Sequence, residues 1–186
     1  PIVMAEVNRA LGPGWNIWTD QTDSLSQRDT GWIQIYCEDG QDAFDTTLMA
    51  FKLAETVNLP VMVVLDAFYL SHTYEPIDLG SPSQADRFLP RLKPRFRLDT
   101  DEPFNFGQLA QPGVYTEMRY NMQMAMASAL EYYPVMASEF SEHFGRSYQP
   151  VEALHCEDAD IILVTSGTVS ATASITLSEL RSQDEK

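Results

Sequence analysis

Residues 32–65, WIQIYCEDGQDAFDTTLMAFKLAETVNLPVMVVL, decide the fold. Residues 32–37 are rich in β-branched and aromatic side chains and predict a strand. Asp39 or Gly40 then opens a helix, with Asp42 in the first turn, where a negative charge suits the helix dipole. Phe44, Leu48 and Phe51 recur at i, i+4 and i+7, the spacing of one buried face. The helix stops near Asn58, ahead of Leu59-Pro60. Residues 61–65 follow as an unbroken apolar run, the pattern of a parallel strand covered on both faces. Strand, helix and strand in this order predict a βαβ unit, hence an α/β protein with a parallel sheet.

Outward from that unit, residues 2–7 and 16–18 predict two further strands, with a turn at Gly12-Pro13-Gly14 between them. Residues 24–30 are polar and predict a short helix with Asp23 as its N-cap. Residues 73–115 are punctuated by prolines and read as an extended crossing. A helix resumes near Thr116, and its stripe of Met118, Met122 and Met126 reads as core packing. Pro134 is expected to kink or divide that helix, and Gly145 to end it. Residues 161–164 predict another buried strand. Ser166-Gly167-Thr168 then turns into a helix bearing Val169, Ala173, Leu177 and Leu180, read through the last residues of the chain. A strand–glycine–helix junction can bind phosphate, but neither phosphate-loop glycine pattern is present, so an ordinary crossover is expected.

The 186 residues carry 12 basic and 27 acidic side chains, a net charge of -15. That balance excludes a nucleic-acid partner, which needs clustered Lys and Arg, and disfavours an anionic membrane. No apolar run is long enough to span a bilayer, and no secretory leader opens the chain, so a soluble cytoplasmic location is expected. Cys37 and Cys156 stand alone, without C-x-x-C, and His72, His143 and His155 lack metal-ligand spacing. No metal is expected on this chain's own ligands. Two isolated cysteines fit a reducing compartment, with a disulfide left open. Both ends are abrupt, as in a fragment of a longer chain.

The segment VNRALGPGWNIWTDQTDSLSQRDTGWIQIYCEDGQDAFDTTLMAFKLAE (7–55) closely resembles the α subunit of pyruvate:ferredoxin oxidoreductase and related 2-oxoacid:ferredoxin oxidoreductases. LPVMVVLDAFYLSHTYEP (59–76) extends the match, and FLPRLKPRF (88–96), EMRYNMQMAMASALE (117–131) and DADIILVTSGTVSATA (158–173) continue it more loosely. D-S-x-x-x-R-D-T-G-W and L-S-H-T-Y-E-P are its specific strings. The resemblance implies oxidative decarboxylation of a 2-oxoacid, pyruvate first, to acyl-coenzyme A, with electrons passed to ferredoxin or flavodoxin. It implies thiamine diphosphate and Mg²⁺ shared with another subunit, iron–sulfur clusters on other subunits, and coenzyme A as co-substrate. It further implies that residues 1–110 are the back part of the pyrimidine-side thiamine-diphosphate domain, 111–147 a helical linker, and 148–186 the start of a transketolase C-terminal-like domain. The front part, with the glutamate that faces the aminopyrimidine, has no match here, so no catalytic residue is assigned and no activity is expected of the isolated chain. The G-D-G motif of the family lies in another subunit; Glu38-Asp39-Gly40 is read as a helix start instead. The rival reading is a non-catalytic structural or assembly module diverged from that family.

By the resemblance, Arg9 pairs with the 2-oxoacid carboxylate, a task for which a guanidinium fork is suited, with Asn8 as the alternative at that position. Asp20, Asp66, Ser71 and His72 are placed at or just past the C-terminal ends of predicted strands, where open α/β sheets bind ligands. His72 is read mainly as a buried hydrogen-bonding residue. Asp23, Arg28, Asp29 and Thr30 belong to the signature; Arg28 and Asp29 are expected to take separate partners, in an architectural role. Departures from the family pattern are Glu6, where a small apolar residue is usual; Gly12-Pro13-Gly14; Gln21; and Ala67, which replaces a glycine and is strained if that position has positive φ. The acidic chain is a poor docking face for an acidic ferredoxin, so electron exit is expected on another subunit.

Overall fold

The computed structural model describes residues 2–94, 96–103, 105–107 and 109–183. Three strands, β1 (Val3–Val7), β2 (Ile33–Tyr36) and β3 (Val61–Leu65), form one parallel sheet in the order β1-β3-β2. The register aligns Val3 and Ile33 with Val61, and Glu6 and Tyr36 with Val64. The unbroken apolar run is thus the central strand, and four of its five residues are fully buried. The expected strand at 16–18 does not form. That segment takes no place in the ladder, and Trp18 is exposed.

Alternation along the strands gives the sheet two different faces. Val3, Ile33, Ile35, Val61 and Val63 point into the main core. There they meet α2 (Gly40–Val57) and α4 (Pro112–Phe144). Helix α2 starts as expected: the Asp39 side chain accepts the Asp42 N–H at 2.7 Å. Asn58 ends it in the left-handed conformation. Its buried stripe, however, is Asp45, Thr46, Met49, Ala50, Leu53 and Ala54, not Phe44, Leu48 and Phe51. The small residues Thr46, Ala50 and Ala54 let the helix approach closely, while Leu48 packs at the margin and Phe51 faces outward.

Helix α4 begins four residues before Thr116 and is not divided at Pro134. Pro134 is exposed, so the hydrogen bond it removes falls on the outer side, while Tyr133, Met136 and Ala137 anchor the inner side. Only the second half of α4 is core. Met118 is 53% exposed, and Met122 and Met126 are half-buried, which corrects the reading of the methionine stripe as core. Gly145 caps the helix at φ 75° as expected.

The proline-rich crossing is irregular except for α3 (Pro82–Phe88). Ser81 and Gln84 form a reciprocal capping box with Pro82 at the first helical position, a signal present in the sequence as S-P-S-Q. The helix delivers Phe88 edge-on to Phe140 (5.2 Å) and Phe144 (6.2 Å). Lys52 lies 4.3 Å over the Phe88 ring, donates to the Phe88 carbonyl and pairs with Glu139.

Beyond α4, residues 161–164 form no strand, and Ile161 and Val164 are 83% and 88% exposed. The apolar run encodes a preference for burial but not a ladder partner, and the three-stranded sheet does not reach it. Helix α5 (Thr168–Arg181) follows Gly167 as expected and ends at Arg181. The expectation of helix to the last residue falls partly outside the described residues.

Candidate functional site at the C-terminal edge of the sheet

Parallel strands bring their C-terminal ends to one edge, which here holds Asn8 and Arg9 after β1, Cys37 and Glu38 after β2, and Asp66 after β3. Ladder-like bonds carry the alignment past the strands: Asn8 N–H donates to the Leu65 carbonyl and Cys37 N–H to the Val64 carbonyl, both at 3.0 Å.

The second face of the sheet explains the polar segment between β1 and β2. A one-turn helix, α1 (Thr22–Leu25), lies against it. Ser24 is buried, its Oγ sits 2.9 Å from the Tyr36 hydroxyl, and its carbonyl accepts from Gln34. Asp23 is not the N-cap expected from sequence. Gln21 holds that position, and Asp23, two residues further on, reaches across to β1 instead. Its Oδ2 accepts the Arg9 main-chain N–H at 2.5 Å. Its Oδ1 accepts Asn8 Nδ2 at 2.8 Å and the Ser24 N–H at 2.7 Å. Glu6, on the same face, shares a hydrogen bond with Asp23; burial first, then that bond and the Asp23 charge, push its carboxyl above the usual glutamate range.

Asn8 is fully buried, with Nδ2 also donating to Ser24 Oγ at 3.0 Å. Its Oδ1 has no hydrogen-bond partner among the described residues. The Arg9 guanidinium is half-buried and makes no ion pair among the described residues. Its Nη1 donates to the Asn8 carbonyl at 3.1 Å, and its Cζ lies 5.7 Å from the centre of the Phe68 ring. Phe68 has φ 62° in the turn that follows β3. It stacks on His72 at 4.4 Å and meets Trp18 at 5.5 Å. Ser71 Oγ accepts the Phe68 N–H at 3.1 Å and sits 2.8 Å from His72 Nδ1. His72 is therefore exposed and stacked, not buried.

Asp66 is committed elsewhere. It accepts the Thr168 N–H at 2.8 Å, the Thr168 hydroxyl at 2.6 Å and the Thr19 hydroxyl at 3.1 Å. It thereby fills the N-terminus of α5, the junction noted in the sequence as phosphate-like. Asp20 is exposed and accepts the Thr22 hydroxyl and, at 2.7 Å, the Thr22 N–H; the hydroxyl first and then the N–H hold its carboxyl below the usual range. Arg28, Asp29 and Thr30 precede β2 and so lie toward the opposite end of the sheet from Arg9. Arg28 and Asp29 pair with each other at 3.6 Å, both exposed. The expectation of separate partners assumed a helix, but residues 26–31 are turns. Thr30 bonds the Gln27 carbonyl, and Arg119 of α4 donates to the Asp29 carbonyl at 3.0 Å.

The sequence reading missed Phe68, Trp18, Thr19 and Ser24. Ser24 lies within the signature string, while a left-handed phenylalanine leaves no sequence signal. The strain considered for Ala67 is absent: the positive φ falls on Phe68, and Ala67 is buried without it.

The family model described as "Pyruvate flavodoxin/ferredoxin oxidoreductase, thiamine diP-bdg" matches residues 1–137. The chain belongs to that family. It is 47% identical over 183 residues to pyruvate synthase subunit PorA of Methanothermobacter thermautotrophicus, covering 97% of this chain and 48% of that protein. It is 46% identical over 188 residues to ketoisovalerate oxidoreductase subunit VorA of Pyrococcus abyssi, covering 100% of this chain and 48% of that protein. Pyruvate synthase subunit PorA of Pyrococcus furiosus is 46% identical over 175 residues, 92% of this chain and 44% of that protein. The chain thus spans about half the length of the curated relatives it matches.

The matching family's description is that of a thiamine-diphosphate-binding domain. Among the described residues, no group of His, Cys, Asp and Glu side chains is arranged to hold a metal. No described helix is long and apolar enough to cross a membrane.

Proposed function

We propose that the chain forms the substrate-carboxylate wall of a 2-oxoacid:ferredoxin oxidoreductase, with pyruvate the first substrate to assay. The carrying observation is Arg9: a guanidinium at the ligand-binding edge of a parallel sheet, without an ion-pair partner among the described residues of a chain of net charge -15. An acidic protein readily supplies carboxylates, so an unpaired, half-buried arginine at this place suits a carboxylate that arrives with substrate. Asp23 holds the Arg9 main chain, and Phe68 faces its guanidinium.

The residues present fit one end of thiamine diphosphate. Asn8 Oδ1 is a buried acceptor without a donor among the described residues, and the aminopyrimidine end carries amino donors. The anionic end does not fit here. Asp39 caps α2, Glu75 accepts the Gly40 N–H at 2.7 Å, and Asp66 caps α5, so carboxylates already fill the N-termini of both helices. This supports diphosphate and Mg²⁺ held by another subunit. When bound, thiamine diphosphate supplies the nucleophile and the electron sink for decarboxylation. Asn8 then orients, Arg9 binds, and Asp23 keeps both in place.

In this reading the partners are other subunits carrying the iron–sulfur clusters, with coenzyme A as co-substrate, ferredoxin or flavodoxin as acceptor, and a cytoplasmic location. Helix α4 occupies most of the proposed linker at 111–147, which supports a second, transketolase C-terminal-like domain from residue 148. In the assembled enzyme, Arg9→Ala should raise the KM for pyruvate by one to two orders of magnitude, roughly the 1.5–3 kcal/mol of a charge-assisted hydrogen bond. An unchanged KM would remove Arg9 from the pocket.

A further inference from the structure

Phe68 is a bulky residue in a backbone region that glycine favours. At φ 62° its Cβ crowds the following carbonyl, a cost that a residue in the right-handed region does not carry. The turn imposes this conformation: Leu70 and Ser71 N–H both reach the Asp66 carbonyl, at 3.1 and 3.2 Å, and Tyr69 N–H reaches the Ala67 carbonyl at 2.7 Å. Ser71 Oγ takes the Phe68 N–H itself. A strained residue held by so many bonds at a ligand-binding edge points to a use for its side chain.

The use is legible in the ring's neighbours. Its plane is nearly parallel to that of His72, with an interplanar angle of 11°, and Trp18 leans on it at 42°. In contact with both, the ring also lies within cation–π distance of the Arg9 guanidinium. Among the described residues that guanidinium is otherwise fixed only by main-chain carbonyls, Asn8 at 3.1 Å and Val7 at 3.4 Å, all through Nη1. Arginine side chains are rich in rotamers, and a fork set before substrate arrives loses less of that freedom on binding.

We propose that Phe68 is a positioning residue for the reaction: its strained turn presents a fixed aromatic face that holds the Arg9 fork toward an incoming 2-oxoacid carboxylate. This rests on the reading of Arg9 as the carboxylate partner. Trp18 and His72 act one step further out, by holding the ring.

The test uses the assembled enzyme, pyruvate as substrate, and Phe68→Leu, Phe68→Gly and Phe68→Tyr. Phe68→Gly keeps the turn, since glycine adopts this φ freely, and guards against misfolding. Phe68→Leu and Phe68→Gly should raise the KM for pyruvate about three- to thirtyfold, the range of one desolvated cation–π contact, with kcat and the KM for coenzyme A near wild type. Phe68→Tyr, which keeps the aromatic face, should restore the wild-type KM. In an Arg9→Ala background, Phe68→Gly should add nothing further. An unchanged pyruvate KM in Phe68→Gly, or a full further rise in the Arg9→Ala background, overturns the proposal while leaving the Arg9 reading intact. An unchanged KM in Arg9→Ala alone overturns the reading on which it rests.

Discussion

Asp23 accepts the Arg9 main-chain N–H at 2.5 Å through one carboxylate oxygen and the Asn8 side-chain amide at 2.8 Å through the other. A residue of α1, ahead of β2, thereby fixes the two residues that leave β1. This is how the signature string bears on the site. Its first half, Asp23-Ser24, covers the second face of the sheet and braces Arg9. Its second half, residues 28–31, serves the contact with α4 instead.

Glu6 shares that face and makes the site sensitive to pH. Its folded carboxyl holds a proton more tightly than in the unfolded chain, owing first to burial and then to Asp23. The folded state is therefore favoured at low pH and loses stability as pH rises from the ordinary glutamate range through the raised folded value. Glu6→Gln keeps a donor for Asp23 and removes the charge. It should melt above wild type at neutral pH, with the gap closing as pH falls below the glutamate range. Thermal melts across pH measure this; a gap independent of pH would show that Glu6 does not titrate against Asp23.

Gly31 shows why the signature needs a glycine before Trp32. Its φ is 99°, and a Cβ would lie 2.6 Å from Met122 Sδ. The methionine is flexible and can yield, so the backbone sets most of the penalty. Gly31→Ala should destabilise by about 1–2 kcal/mol in urea unfolding. Adding Met122→Ala should recover little of that loss. Full recovery would place the cause in the side-chain contact.

The chain leaving α4 is latched to α2 by Arg146. Its Nε and Nη2 grip the fully buried Asp45 at 2.5 and 2.8 Å, its Nη1 reaches Asp78 at 3.0 Å, and Tyr148 donates to Asp45 at 2.7 Å. Arg146→Ala strands the Asp45 charge and should destabilise by about 3–5 kcal/mol. Asp45→Asn combined with Arg146→Met should lose less than Arg146→Ala alone, because no buried charge remains; urea titration of the three proteins decides.

The βαβ unit was legible because β3 is central and covered on both faces, so its burial is written as an unbroken apolar run. The α3 capping box was not read, because its Ser81 and Pro82 stand among the prolines of a segment that reads as an extended crossing. The buried stripe of α2 was not, because a close helix–sheet approach uses small residues that carry little hydrophobic signal. At the site, Arg9 and Asp23 came from the resemblance. Phe68 lay beyond any sequence pattern, since its left-handed backbone is imposed by bonds to Asp66 and Ser71. Residues 161–164 have a strand's composition without a strand's partner.

The claim on which the others depend is that Arg9 receives a carboxylate at the sheet edge. A structure of the assembled enzyme with pyruvate bound tests it directly. The expected result is both carboxylate oxygens within about 3.2 Å of the Arg9 guanidinium nitrogens, with Asp23 still on the Arg9 main chain. A carboxylate held by other groups, with Arg9 still turned onto the Asn8 carbonyl, would contradict it.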